Sequence, residues 1–305
     1  MWVSAFFGMA TIYAEAVMAQ HTRKLENGHY VGGPVYYIKY VFKGRFGKFL
    51  AGFFSVAIIL ALGFMGNMVQ SNSIGAAFNN AFHVPKLAVG ICVAVIAGII
   101  FIGGIKRIAS FTEKIVPIMA LLYIIGCLVI LVMHLPGVGT AFKDIFVGAF
   151  APQAIIGGGL GSALKIAVAQ GAKRGLFSNE AGMGSTPHAH ALAQVKCPHE
   201  QGTVAMAGVF IDTFVVLTLN ALVIISTLYT SDGPLANGYV GSVVDTLNNT
   251  NLAQTAFGVV FGDKLGNMFV AVCLFFFAFS TIIGWYFFGQ ANIKSVSYTH
   301  LRAHE

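Results

Sequence analysis

Long apolar runs alternate with short polar links along this chain, and the runs are too long to be the helices or strands of an ordinary soluble domain. A bilayer core takes roughly 20 apolar residues per helix. On that measure the pattern predicts spans near 1–21, 47–79, 86–105, 115–135, 141–177, 202–229 and 265–290. The second run is long enough to tilt or project beyond the bilayer. The fifth is too long and too rich in glycine for one continuous helix.

Within that fifth run, Gly157, Gly158, Gly159 and Gly161 are followed by ALKIAVAQ, where a helical pattern resumes. Each glycine costs about 1 kcal/mol in a helix interior, so the pattern predicts an unwound break. Unwound backbone cannot face lipid, because its N–H and C=O groups need partners; it belongs beside a cavity or inside protein. In secondary transporters such breaks offer a half-helix N-terminus to a carboxylate and free carbonyls to a cation. Close helix packing is the other use of small residues, usually at a spacing of four. Lys165 follows the break and admits three readings: a partner for an acid, a lining of an inner pathway, or a side chain reaching back to water.

Composition agrees with the pattern. Hydrophobic residues make up 57% and charged ones 10%, with a mean hydropathy of +0.78. About 25% charged is usual for soluble chains. The net charge of +7 does not point to nucleic acid, since the cations sit in links between apolar runs. Arg23, Lys24, Lys39, Lys43, Arg45, Lys48, Lys106, Arg107, Lys114, Lys173, Arg174 and Lys196 all fall in alternate links, whereas Lys86, Lys143 and Lys264 stand alone in the others. The positive-inside rule makes the first set cytoplasmic. Residue 1 is then on the outer side, and at least one further span is expected before it. No signal-peptide pattern opens the chain. The four cysteines suggest neither a disulfide framework nor a CxxC metal site. The polar end KSVSYTHLRAHE resembles a read-through peptide, with an ordinary loop as the alternative, so 294–305 is set aside as a non-native tail and 1–293 is read as the membrane core.

Several polar residues interrupt the apolar runs. Gln70 and Asn72, with Asn67 one turn earlier, carry donor and acceptor groups that suit an amino-acid zwitterion; interhelical hydrogen bonding explains them nearly as well. Ser280 and Thr281 offer hydroxyl oxygens of the kind hard cations prefer, or they bond back to their own helix. Asp212 is an acid at membrane depth, either functional or paired with Lys165 or Asn220. Glu15 lies near the cytoplasmic end of its span, suited to a salt bridge or a gate contact. His188 and His190 are two apart and do not share a helix face, so they do not form a zinc pair. Their link reads instead as a short amphipathic helix of an inner gate, tied by Asn179 and Glu180. A channel would need rings of charge or a repeated filter, and an enzyme a nucleophile–base pair; the sequence displays neither.

Residues 174–191, RGLFSNEAGMGSTPHAHA, closely resemble the signature of the alanine or glycine:cation symporter family, of the APC superfamily. WVSAFFGMATIYAEAVMA at 2–19, GGPVYYI at 32–38, GNMVQSNSI at 66–74 and FAFSTIIGW at 277–285 agree in the same order. The resemblance implies an all-α, LeuT-type inverted-repeat bundle in the cell membrane, present here as an incomplete fragment. It implies import of a small neutral amino acid with sodium, or sometimes protons, by alternating access, with no other cofactor. Residue 1 would fall in the second core helix, and the Gly157–Gly161 break in the first helix of the second repeat. On that template Gln70, Asn72, Gly157, Gly158, Gly159 and Trp285 contact substrate. Phe277 (by its carbonyl), Ser280 and Thr281 would hold sodium, and Glu15, Lys165, Asn179, Glu180 and Asp212 would serve gating or intramembrane charge. Ile12 stands where the family often has Lys, which changes the local partner of Glu15.

Overall fold

The computed structural model of the protein describes residues 1–26, 28–150, 160–230, 233–236, 247 and 251–301. Helix α1 (Trp2–Thr22) leads into a two-stranded antiparallel hairpin, β1 (Lys24–Glu26) and β2 (His29–Val31), in which Leu25 pairs with Tyr30. After α2 (Pro34–Val41), one long helix forms from α3 (Gly44–Ile58), a π-helical stretch (Ile59–Gly66) and α4 (Asn67–Phe82). Helices α5 (Lys86–Ile102), α6 (Gly104–Met133) and α7 (Leu135–Phe150) follow. The chain resumes with α8 (Leu160–Asn179), the single turn α9 (Pro187–His190) and α10 (Pro198–Phe210). A second π-helical stretch (Ile211–Leu217) runs into α11 (Thr218–Leu228), and α12 (Leu252–Phe261) and α13 (Asp263–Leu301) complete the order.

Among the described residues, five helices are long and apolar enough to cross a membrane: Trp2–Thr22, Gly44–Phe82, Arg107–Met133, Pro198–Leu228 and Asp263–Val296. They match five of the predicted spans. The predicted span at 86–105 is the 17-residue α5, apolar but short. The predicted run 141–177 comprises α7 and α8, and residues 151–159 between them lie outside the described ones. The break itself was expected over Gly157–Gly161; Gly161 is already helical, because α8 starts at Leu160.

Three elements were not expected: the hairpin, α2 and α12, all inside links. Proline sets where three short helices start, since its fixed φ and missing N–H suit the first helical position: Pro34 in α2, Pro187 in α9 and Pro198 in α10. The predicted amphipathic helix of the link after α8 is reduced to the four residues of α9. What precedes it is a loop with left-handed backbone at Glu180, Gly182 and Gly184, which no helix accommodates.

The chain packs as two compact units. The first comprises Met1–Asn67, Lys165–Val215 and Gly284–Glu305; the second comprises Met68–Leu164 and Val216–Ile283. Small residues build the core of the first: Ala5, Ile12 and Ala16 of α1 pack with Ala181, Ala205 and Val209. Gly8 lies against Ala181, where an added Cβ would sit 3.2 Å from its methyl, and Gly202 of α10 lies against Tyr13. Side chains this small let helix backbones approach closely, which is how helices associate where apolar burial against lipid contributes little.

Aromatic rings build the core of the second unit. Phe257, fully buried, stacks on Phe269 at 5.3 Å and on Tyr123 at 5.8 Å between ring centroids. Tyr123 Oη donates to Asn220 Oδ1 at 2.6 Å. The buried amide of Gln254 donates to the carbonyls of Ala77 (3.1 Å) and Asn267 (3.2 Å) and accepts from Asn80 Nδ2 (3.2 Å), so α12 is tied to α4 and α13.

Candidate functional site

The densest polar constellation among the described residues lies in the first unit, around the loop between α8 and α9. Gly182 and Gly184 have φ of +87° and +73°, a conformation open to glycine, and this aims their N–H groups the same way. Glu15 fills the resulting concavity: Gly182 N–H donates to Oε2 at 3.0 Å and Gly184 N–H donates to Oε1 at 3.1 Å. Both carboxylate oxygens are thereby engaged by backbone. The salt-bridge reading of Glu15 is therefore corrected, and the loop contact is the one the structure displays. Ile12, one turn earlier, is buried in the apolar core and offers Glu15 no charge.

Glu180 is the second carboxylate. Its φ of +55° places a non-glycine residue in the left-handed region, at a cost on the order of 1 kcal/mol. Its side chain explains why the conformation is held. Trp285 Nε1 donates to Oε1 at 2.7 Å, and Ser185 Oγ donates to Oε2. Burial raises the pKa of Glu180 above its ordinary value, opposed by the bonds from Ser185 and Trp285 and reinforced by the charge of Asp212. Trp285 is buried, with Phe177 edge-on at 5.7 Å. An added Cβ at Gly66 would overlap the indole, so Gly66 is the space into which Trp285 fits.

Asp212 lies in the second π-helical stretch and accepts from Ser178 Oγ at 2.8 Å and from Thr213 Oγ1 at 3.1 Å. Of the two partners expected for a paired Asp212, Asn220 accepts from Tyr123 instead, and the Lys165 side chain lies outside the described residues. Asn179, beside Glu180, accepts from the Ala181 N–H at 3.1 Å and so caps the same loop. Among the described residues, no ion pair engages Glu15, Glu180 or Asp212.

His188 anchors the far side of the loop. The Ser185 carbonyl can only accept, so His188 Nδ1–H donates to it at 2.8 Å, and Nε2 accepts from Asn292 Nδ2 at 2.9 Å. That is the neutral ring. Burial pulls its imidazole down to about 4, and Gly33 leaves no room for a side chain beside it. His190 turns elsewhere: Gln201 Nε2 bonds to its Nδ1 at 2.8 Å, and Gln20 Nε2 donates to its carbonyl. Sequence reasoning missed the roles of His188, Ser185 and Asn292. The signal available for Asn292 was an amide inside an apolar run; nothing local marked His188 as its partner.

In the second unit, Ser280 Oγ and Thr281 Oγ1 each donate to the Phe277 carbonyl at 2.9 Å. Both hydroxyls thus bond back to their own helix, the alternative to a cation-binding role that the sequence left open. Gln70 is half-buried and Asn72 exposed, and neither side chain makes a hydrogen bond among the described residues. Gly157, Gly158 and Gly159 lie outside the described residues.

Comparison with known proteins places the chain in a family. The sodium:alanine symporter family matches over residues 1–303. A sodium/alanine symporter of Methanococcus maripaludis is 40% identical over 296 residues, covering 95% of this chain and 61% of the relative. The amino-acid carrier protein AlsT of Bacillus subtilis is 36% identical over 296 residues, with 97% and 59% covered. A probable sodium/glutamine symporter of the same organism is 36% identical over 297 residues, with 96% and 57% covered. The chain spans about six tenths of the length of these relatives. By a match over almost its whole length, the chain belongs to the sodium:alanine symporter family.

Proposed function

We propose that this chain forms part of a sodium-coupled symporter that imports a small neutral amino acid, alanine or glycine, across the cell membrane by alternating access in a LeuT-type bundle. The observation that carries the reading is the family match over residues 1–303, joined to five helices of membrane-crossing length. The name of the Methanococcus maripaludis relative supplies alanine and sodium, and that of the glutamine symporter shows that substrate varies among relatives.

In this reading Phe277, Ser280 and Thr281 contribute oxygens to the sodium site, since a hard cation takes carbonyl and hydroxyl ligands. Gln70, Asn72 and the Gly157–Gly159 backbone bind the amino-acid zwitterion. The Glu15 and Glu180 clasps hold the α8–α9 loop closed on the cytoplasmic side and release it when the inner gate opens. Trp285 belongs to the Glu180 clasp, which favours a gating role for it over a substrate contact. Lys165 and Asp212 line the inner pathway, and Asn179 caps the gate loop.

Uptake of labelled alanine by proteoliposomes holding the full-length protein tests the reading. Accumulation is expected only with an inward sodium gradient. The Ser280→Ala, Thr281→Ala double variant is expected to need about tenfold or more sodium for half-maximal uptake, as the loss of two hard-ion ligands implies. Uptake indifferent to the sodium gradient would refute the coupling, and uptake driven by a proton gradient would replace sodium with protons.

A further inference from the structure

We infer that a cavity between the end of α4 and the start of α13 binds a free α-amino acid as its zwitterion, at a place separate from the site proposed for the transported one. The cavity holds about 620 Å³, within the usual range of small-molecule sites, and lies wholly in the second unit. Asn80, Phe82 and His83 line it from α4 and the turn that follows, and Asp263, Lys264 and Met268 line it from α13. Asn80 is ten residues beyond Gln70 on the same helix, about 15 Å along its axis. Lys264 stands in a link that the positive-inside rule places outside, so the cavity lies on the side from which amino acid arrives.

Its walls are fixed by contacts within the protein. Asn80 Nδ2 donates to buried Gln254, which in turn donates to the Asn267 carbonyl, so α12 ties the two walls together. The His83 N–H donates to the Asn79 carbonyl at 3.0 Å, and Asn79 Nδ2 donates to the Val84 carbonyl at 3.0 Å; these bonds hold His83 in its left-handed turn at φ +57°. The Phe82 ring packs on Phe78 at 5.3 Å, and Phe78 on Phe275 of α13 at 5.9 Å. Asp263 Oδ1 lies against Gly258 of α12, where an added Cβ would stand 3.0 Å from it. Asp263 with Asn267, and Lys264 with Met268, are one turn apart, so α13 presents all four to the cavity from one face.

The lining carries one full charge of each sign. Asp263 and Lys264 are exposed, and among the described residues neither has an ion-pair partner. Asn80 uses its Nδ2 on Gln254, and its Oδ1 remains available to accept. An ammonium group therefore finds Asp263 and Asn80 Oδ1, and a carboxylate finds Lys264, the His83 ring and the positive end of α13. Phe82 and Met268, both half-buried, offer apolar cover for a side chain. A simple cation or anion would meet a charge of its own sign beside its partner. A wholly apolar molecule would displace water from Asp263 and Lys264 without replacing its hydrogen bonds. A zwitterion with an apolar side chain matches all three features.

Equilibrium binding of labelled L-leucine to the full-length protein in nanodiscs tests the site. The Gln70→Ala background removes a contact of the set proposed for transport, and with no gradient applied the result does not depend on sodium-coupled uptake. Saturable binding is expected. Asp263→Asn and Lys264→Gln are each expected to weaken it about tenfold, and Lys264→Arg to retain it. Lys143→Gln, a loss of the same charge on the same side of the membrane, is expected to bind normally. Isopentylamine and 4-methylpentanoate, which each keep one of the two charges of leucine, are expected to compete about tenfold less well. Absence of saturable binding, or binding unchanged in both charge variants, would overturn the site. Competition by either single-charge analogue equal to that of leucine would overturn the zwitterion assignment. Both substituted residues are exposed, and thermal unfolding identifies a variant that fails to fold, in which case the other carries the test with the same tenfold expectation.

Discussion

The two units are held by different forces. The first packs small residues closely and closes its loop with hydrogen bonds to carboxylates and to a neutral imidazole. The second packs stacked phenylalanines around Tyr123 and a single fully bonded amide, Gln254. Ring packing has no protonation state and loses energy with every displaced contact, so it favours one arrangement. Charge-assisted hydrogen bonds are directional and exchangeable, so a segment held by them can adopt a second set of partners. The proposed function would use both behaviours, and this chain assigns them to different parts of its sequence.

The largest expected effect lies in the aromatic core. Phe257→Ala leaves a void among Tyr123, Phe261 and Phe269 and is expected to cost about 3–5 kcal/mol of unfolding free energy. Hydrogen exchange in detergent micelles reads where the loss falls. Faster exchange confined to the first unit would erase the contrast drawn above.

Next comes the clasp. Trp285→Phe keeps a ring beside Gly66 but removes the donor to Glu180, and about 2 kcal/mol is expected, since the acceptor is a carboxylate. Gly66→Ala should reproduce the loss by pushing the indole away from Glu180. Both should raise protease sensitivity at the α8–α9 loop, and an unchanged cleavage rate would mean the clasp does not hold it.

Acidity should also separate the units. His188 is held neutral, its value pulled from 6.5 to about 4. The unfolded ring binds a proton first as pH falls, so the contribution of His188 to stability is complete above about 6.5 and is lost between about 6.5 and 4. Glu180, raised by burial, acts in the opposite sense, favouring the folded state when protonated. The difference between the unaltered protein and His188→Gln isolates the histidine: exchange around residues 184–192 should quicken with acid in the former and not in the latter. No pH-dependent difference between them would remove the imidazole from the account. The smallest effect is reserved for Tyr123→Phe, which deletes the hydroxyl bonded to Asn220; about 0.6 kcal/mol is expected, visible as a small shift in the unfolding midpoint.

Much of the architecture was legible because span length and apolar content are properties of single segments. A run such as 202–229 is a helix wherever it packs, since backbone polar groups in lipid have no other partner. Asp212, Glu15 and Glu180 were legible as exceptions to that apolar pattern. Their partners were not. Glu15 reads as either half of a salt bridge or a gate contact until the left-handed glycines turn two N–H groups toward it, and those lie 167 and 169 positions away. The π-helical stretches carrying Gly66 and Asp212 were equally invisible, because a widened turn is selected by what packs against it.

By itself, then, the sequence determined that this is a helical membrane protein, where its long helices run, and which family it resembles, because hydrophobic length and motif order are read along the chain. Only the tertiary structure decided that Trp285 meets Glu180, that Asn292 meets His188, and that two backbone N–H groups meet Glu15. Those pairings join residues far apart in the chain, so they exist only once the helices have packed.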